Sequence, residues 1–491
     1  MSRKFPRLPL AAILAAALAA CGAPDEQALD VTVIGASRPT LADPSAGTPS
    51  PPSEVLLSNV AQGLVRFDAR GQIEPGLAES WNVSNDGLSY IFRISAEDWP
   101  DGRPISAREV ARILNRQLRP ASRNPLKDTL GAVSEILAMT DRVIEVRLRA
   151  PRPNLLQLLA QPEFAIVRQG HGSGPFQIDA RQETTEAIAM TRTIRIIDDK
   201  DRVEHAQLRH GEAARAIDRF RTGRSALVLG GTFTDLPLAN RSDRSLRNAL
   251  RFDPVAGLFG LVPARGGGPL ADRQLRDLLN RTIDRDALIE ALEVPNLLPR
   301  TTVMQVGLEG GANPIAPAWT ATPLPERRAL AVNEARAAVG DGESLKLGIA
   351  LPAGPGADIL FARLASDWRP LGVELVRAGE GVPADLRLVD KVAPSTSPAW
   401  FVRNFRCGVA PLCSKDADVL MDAGREPMIA IQRAAMLAEA GRLIDQEVLF
   451  LPIAAPVRWS LVADGLPGFA ENIFARHPLS GLRSAPNRER Q

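Results

Sequence analysis

The chain has 491 residues, 45% of them hydrophobic and 24% charged, and its 59 Lys and Arg against 57 Asp and Glu give a formal net charge of +2. Such balanced, interspersed charge excludes the basic footprint of a nucleic-acid binder. The length exceeds the roughly 250 to 300 residues at which a single hydrophobic core stops growing, so more than one domain is expected.

The first 27 residues, MSRKFPRLPLAAILAAALAACGAPDEQ, place Arg3, Lys4 and Arg7 before an apolar run that ends at Leu18-Ala19-Ala20-Cys21. This is the layout of a secretory signal, and the small residues before Cys21 resemble a bacterial lipoprotein signal. Cleavage after residue 20 would leave Cys21 as a lipid-modified N-terminus; the alternative is an ordinary signal that ends near a Cys. The run is too short to stay in a bilayer as a helix, and no later stretch reaches the about 18 uncharged residues that a span needs. The mature chain is therefore expected outside the cytoplasm, with membrane contact through its lipid alone. Losing Arg3, Lys4 and Arg7, with no acid in the same segment, takes the net charge from +2 to −1.

Val31 and Val33 alternate as in a strand, which Pro39 and Pro44 break. An apolar helix is predicted from residue 53 to a stop at Gly63, then a short strand into a turn at Gly71. The stretch from Leu77 to Leu114 follows, with turns at Asn85-Asp86-Gly87 and Asp101-Gly102. Between them Tyr90, Phe92 and Ile94 share one face of a strand. Ser106 and Glu109 form a capping-box pattern that starts a helix at Ala107. Further on, Gly223 fits a helix stop ahead of a strand. Leu275, Leu278, Leu279 and Ile283 recur at near-helical spacing, and Asp284 can cap the next helix. Residues 345–379 read as strand, helix through Trp368, strand.

Cys407 and Cys413, in FRCGVAPLCSKDAD, have a Gly and a Pro between them. In an oxidising compartment they read as a short disulfide loop; the alternatives, free thiols or a zinc site, lack a nearby His. The four His (His171, His205, His210 and His477) are scattered, and the step from His205 to His210 suits neither one helical face nor a zinc pair. GHGSG sets Gly directly beside Ser173, not two residues away as a nucleophile elbow requires. ARGGGPL lacks the Gly-Lys-Ser/Thr of a phosphate loop. None of these patterns makes a catalytic constellation, and no catalytic residue, metal site or cofactor is expected.

Six motifs in order carry a resemblance. Gln62-Gly63-Leu64, Leu77-Ala78-Glu79-Ser80-Trp81, Ser84-Asn85-Asp86-Gly87, Tyr90-Ile91-Phe92, Asp101-Gly102-Arg103-Pro104 and Ala107-Arg108-Glu109-Val110 resemble the signature region of the family 5 extracellular solute-binding proteins, the receptors of bacterial ABC importers for peptides, nickel and related solutes. Gln62 stands for the family's Glu and Glu109 for its Asp. GHGSGPFQI from Gly170, the helix pair around Asp272 and Asp284, and the closing segments RLIDQEVLFLPIAAPVRWSLV and GLPGFAEN are similar more loosely.

The resemblance implies an α/β, two-lobe periplasmic binding protein fold with a discontinuous first lobe and an extra subdomain. On that pattern residues 1–20 are the signal and 21–52 the first segment of lobe I. The extra subdomain is 53–168, lobe I resumes over 169–255, lobe II is 256–450, and 451–491 close lobe I. The aromatic block is expected to fill the subdomain core rather than touch ligand. In peptide-binding relatives a Trp-x-x-Asp stretch of the second lobe pairs its Asp with the peptide amino terminus. Here Trp400 matches the Trp, but Arg403 takes the place of the Asp. Trp400, Arg403, Asn404 and Arg406 are the candidate ligand contacts, and a basic edge would suit a carboxylate or other anion. The alternative is that the two Arg are solvated surface residues. The implied function is a lipid-anchored, monomeric periplasmic receptor that passes a peptide-like or other small solute to an ABC permease and its ATPase. A degenerate member serving as a structural or interaction lipoprotein of the envelope is the alternative.

Overall fold

A computed structural model describes residues 28–196, 200–240, 244–310, 313–339, 344–379, 382–426 and 429–482. The signal and Cys21 lie outside the described residues. Three sheets organise the rest. A seven-stranded sheet takes its strands from distant parts of the chain, in the order Gln177–Ile178, Ala187–Ile194, Arg202–Gly211, Leu29–Ile34, Leu227–Thr232, Arg458–Val462 and Leu250–Phe252. A five-stranded sheet runs Val373–Arg377, Leu345–Ala350, Leu386–Val392, Gly257–Pro263, Leu451–Ala454. A four-stranded antiparallel sheet holds Ala78–Val83, Ser89–Ile94, Val143–Leu148 and Val133–Ala138. These are the two lobes and the extra subdomain, with lobe I assembled from discontinuous segments.

Two expected boundaries differ. Leu451–Ala454 pairs with Gly257–Pro263 in the five-stranded sheet, so lobe I does not resume at residue 451. Pro456 separates it from Arg458–Val462, which does cross to lobe I. The helix Pro51–Val60 buries Leu56 and Val60 in the seven-stranded sheet's core, not the subdomain's.

The aromatic block is packing. Tyr90, Phe92, Ile94 and Trp99 are buried in the subdomain core. Ser106 accepts a hydrogen bond from the Glu109 amide at 3.3 Å, which starts the helix Ala107–Leu118. The Glu109 carboxylate does not return the bond as a capping box would. It accepts from Trp99 Nε1 at 2.9 Å and from Arg168 Nε at 2.9 Å, while Arg168 also donates to Asp101 at 2.8 Å. One buried arginine thus ties the Asp-Gly turn, the Trp and the helix start together. At the departure Gln62, the amide donates to the Ser173 carbonyl at 2.6 Å, so the substitution is satisfied. Gly174, two residues past the short strand His171–Gly172, donates to the Val60 carbonyl at 2.8 Å. A Cβ there would lie 2.4 Å from the Asn59 carbonyl oxygen, which is why the chain returns to lobe I through glycine.

The strand-helix-strand unit is Leu345–Ala350, Pro355–Trp368 and Val373–Arg377, its two strands parallel. Asp284 accepts from the Ala287 amide at 3.0 Å and caps Arg285–Leu292. On lobe II, the Asp445 carboxylate accepts from the Val303 amide at 2.8 Å, and burial pushes its pKa up to about 8 against that bond. A folded-state pKa raised above the unfolded value means stability that is present at low pH and lost as pH rises towards 8. Asp445→Asn keeps an acceptor without the charge. Denaturant unfolding should find it more stable than the wild type by about 2 kcal/mol at pH 8, with the gap closing at pH 5; an equal difference at both would contradict this titration. Among the described residues no helix is long and apolar enough to cross a membrane.

Candidate functional site

A cavity of about 650 Å³ lies between the lobes, lined by all three bodies. This is within the roughly 300 to 1,000 Å³ range of small-molecule sites. Lobe I contributes one face of the helix Pro51–Val60, with Pro51, Glu54, Val55 and Ser58 at helical spacing. It also contributes Trp459. The strand Leu227–Thr232 bulges between Val228 and Gly231, and a Cβ on Gly231 would sit 2.2 Å from the Trp459 ring. Glycine lets the indole lie flat on the strand, where its Nε1 donates to the Thr232 carbonyl at 2.8 Å. Lobe II contributes Asp390, Lys391 and Val392 and the end of the helix Pro398–Arg403. The subdomain contributes Leu126, Asp128, Gln161 and Glu163.

Most charges in the wall are paired. Arg458 donates to both Asp390 oxygens, at 2.9 and 3.1 Å, which joins the two lobes at the cleft floor. Burial pushes the Asp390 pKa up, opposed by Arg458. His477 Nε2 lies 3.0 Å from Asp253 Oδ2 and its ring stacks on Phe469 with centroids 4.7 Å apart. Arg476 pairs with Glu54, lies 3.5 Å from Glu163 and donates to Gln161 Oε1 at 3.2 Å. Glu163 is 6% exposed, and burial pushes its pKa up to about 7, with Arg476 opposing and Glu54 adding to the rise. Gln161 Nε2 in turn donates to the Pro394 carbonyl at 2.8 Å, and Asn154 Nδ2 to Ser395 Oγ at 2.9 Å. These bonds bridge the subdomain to lobe II, the first of them in the cavity wall.

Arg403 is different. Among the described residues its guanidinium has no hydrogen-bond or ion-pair partner, although it lines the cavity. Burial lowers its pKa, with Asp128 opposing. A half-buried guanidinium without a carboxylate partner presents a fork of donors of the kind that suits an anion. Trp400 and Asn404 line the same wall; Asn404 donates to the Trp400 carbonyl at 2.7 Å and accepts from Lys391 Nζ at 3.2 Å. Arg406 does not join them. It is absent from the cavity wall, and its guanidinium donates to both oxygens of Asp422, at 2.8 and 3.0 Å, sixteen residues on. The turn after Asn404 points it away, and the carboxylate holds it there. Cys407 and Cys413 form a disulfide, Cα atoms 5.1 Å apart, that closes this turn.

Glu54, Glu163, Arg476, His477 and Asp390 are wall residues that no motif marks. Only the helical spacing from Pro51 to Ser58 carried a signal. The Arg476 network depends on residues hundreds of positions apart, and His477 is one of four histidines that no sequence spacing groups.

Residues 72–376 match the family described as bacterial extracellular solute-binding proteins, family 5 Middle. The chain is 24% identical over 500 residues to a probable di/tripeptide-binding protein 5 of Pseudomonas aeruginosa, covering 89% of this chain and 91% of that one. Its fold is similar to Haemophilus influenzae OppA in complex with RPPGFSPFR, with a TM-score of 0.80 and 18% identity, covering 94% and 99% of the two chains. It is equally similar, at 0.80 and 17% identity, to the murein tripeptide binding protein MppA of Escherichia coli, with the same coverage. The family match spans more than half of the sequence, and the chain belongs to the family 5 bacterial extracellular solute-binding proteins, the solute-binding components of ABC importers.

Proposed function

We propose that this protein captures a peptide-like solute in the inter-lobe cavity, holds its carboxylate on Arg403 with Trp400 and Asn404 alongside, and delivers it to an ABC permease. The observation that carries the reading is the unpaired Arg403 in a wall whose other arginines, Arg458 and Arg476, are occupied by carboxylates. The similarity to a di/tripeptide-binding protein supports a short peptide as the solute class. The receptor works without catalysis: the solute is bound by both lobes, and its contacts favour the closed arrangement over the open one. Cys21, lipid-modified after cleavage, tethers a monomer to the envelope membrane, and residues 21–52 include its link to lobe I.

Thermal unfolding of the purified protein against short peptides, their carboxyl-terminal amides, amino-acid derivatives and small organic anions tests this. A solute at about 100 times its dissociation constant adds roughly 2.7 kcal/mol. Free-acid peptides should raise the midpoint and their amides should raise it less. Silence from every solute would favour an interaction lipoprotein instead.

A further inference from the structure

The chain passes from the four-stranded sheet of the subdomain to the five-stranded sheet of lobe II by way of lobe I, so these two bodies meet only across space. Where they meet, the short helix Leu155–Leu159 turns Leu155, Leu158 and Leu159 into the subdomain core. Asn154, Gln157 and Gln161 follow one another at the three- and four-residue steps that keep side chains on one side of a helix. These three amides meet three consecutive residues of lobe II. Gln161 Nε2 donates to the Pro394 carbonyl at 2.8 Å and Asn154 Nδ2 to Ser395 Oγ at 2.9 Å, while Gln157 Oε1 accepts from the Thr396 amide at 3.1 Å and its hydroxyl at 3.4 Å. Asn154 is the N-cap of its helix, yet its side chain makes no cap bond and reaches lobe II instead. On the other side, Ser395 Oγ also accepts from the Ser397 amide at 3.4 Å. Ser397 is the N-cap of Pro398–Arg403, the helix that carries Trp400 and Arg403 into the cavity wall.

We infer that Asn154, Gln157 and Gln161 are positioning residues for solute capture, an uncharged latch that holds the start of the Arg403 helix against the subdomain when the lobes close. The inference rests on the capture reading given above. Asn154 and Gln157 are absent from the cavity wall, so their bonds add to closure without touching the solute. A contact made in the closed arrangement and not in the open one favours closure whatever is bound. Its loss therefore weakens every solute by one common factor, and does so by hastening dissociation.

Equilibrium binding and dissociation rates of Ala-Ala-Ala, Ala-Leu-Ala and Ala-Lys-Ala with the purified protein are the test. Gln157→Met removes the acceptor and should weaken all three peptides by the same factor, about 3- to 10-fold for one hydrogen bond, with the change in the dissociation rate. Gln157→Glu keeps an acceptor for Thr396 and should restore binding; a side chain that only filled space would give the reverse order, Met tolerated and Glu not. Should Gln157→Met fail to fold, Asn154→Leu removes the donor to Ser395 and should show a common factor in the same way. Unchanged binding of the three peptides in both variants would overturn the latch alone, as would a factor that differs from peptide to peptide, which would make the residue a solute contact. Silence of all three peptides against the wild type would contradict the peptide reading and the latch with it.

Discussion

Replacing Arg276 with Met is expected to lower the unfolding free energy by about 3 to 5 kcal/mol, because it removes the side-chain donor from four carbonyls at a buried position. Arg276 is 4% exposed, on the helix Arg273–Thr282. Its guanidinium donates to the carbonyls of Leu270, Ala271, Glu447 and Val448 at 2.8, 3.0, 2.6 and 3.0 Å. One side chain thus stitches the start of that helix to the chain leading into the last strand of the five-stranded sheet. Burial lowers its pKa, with Glu447 and Asp272 opposing, so the charge is kept at a cost that the four carbonyls offset. Denaturant titration of Arg276→Met should show the loss, and Arg276→Lys should recover only part of it, since an ammonium cannot reach four acceptors in one plane. A loss under about 1 kcal/mol would mean that the carbonyls find other partners. Arg285 repeats the device nine residues on, donating to the Pro452 carbonyl at 2.8 Å and to Asn280, with its pKa lowered by burial to about 9.

Arg476→Met is expected to cost a similar amount, about 3 to 5 kcal/mol, as breaking a buried charge network does. The arginine pairs with Glu54 of lobe I and faces Glu163 of the subdomain, and both carboxylates are left in the wall without it. The pH dependence separates this from simple loss of packing. Glu163 already has a folded-state pKa raised to about 7, so its contribution to stability falls as pH rises through that value. Removing the cation raises it further and extends the fall to higher pH. The deficit relative to wild type should therefore be larger at pH 8 than at pH 6 in matched urea titrations. An equal deficit at both would assign the loss to packing of the side chain's stem.

Legibility in the sequence divided along a physical line. The aromatic block, the cap at Ser106, the cap at Asp284 and the unit from Leu345 to Arg377 were visible because turns, caps and alternation are decided within a few neighbouring residues. Glu109 shows the limit: its spacing from Ser106 announced a helix start, but its carboxylate serves Trp99 and Arg168, and the latter is 59 residues away. Where the motif stretch crosses the cavity, Trp400 and Arg403 line its wall. Arg406 misled because nearness in sequence stood in for direction, and Asp422 claims it. Arg476 and Glu163, 313 residues apart, meet only because the tail folds back over the cleft. No periodicity encodes that contact.

The central claim is that Arg403 receives the anionic group of a solute held between the lobes. It is tested most directly by titrating a pooled library of random tripeptides, with free or amidated carboxyl termini, into the wild type and Arg403→Met. The account predicts that the wild type prefers the free acids by at least about 10-fold, the value of a charged hydrogen bond, and that Arg403→Met binds acids and amides alike. Equal affinity of the two proteins for the free acids would contradict it.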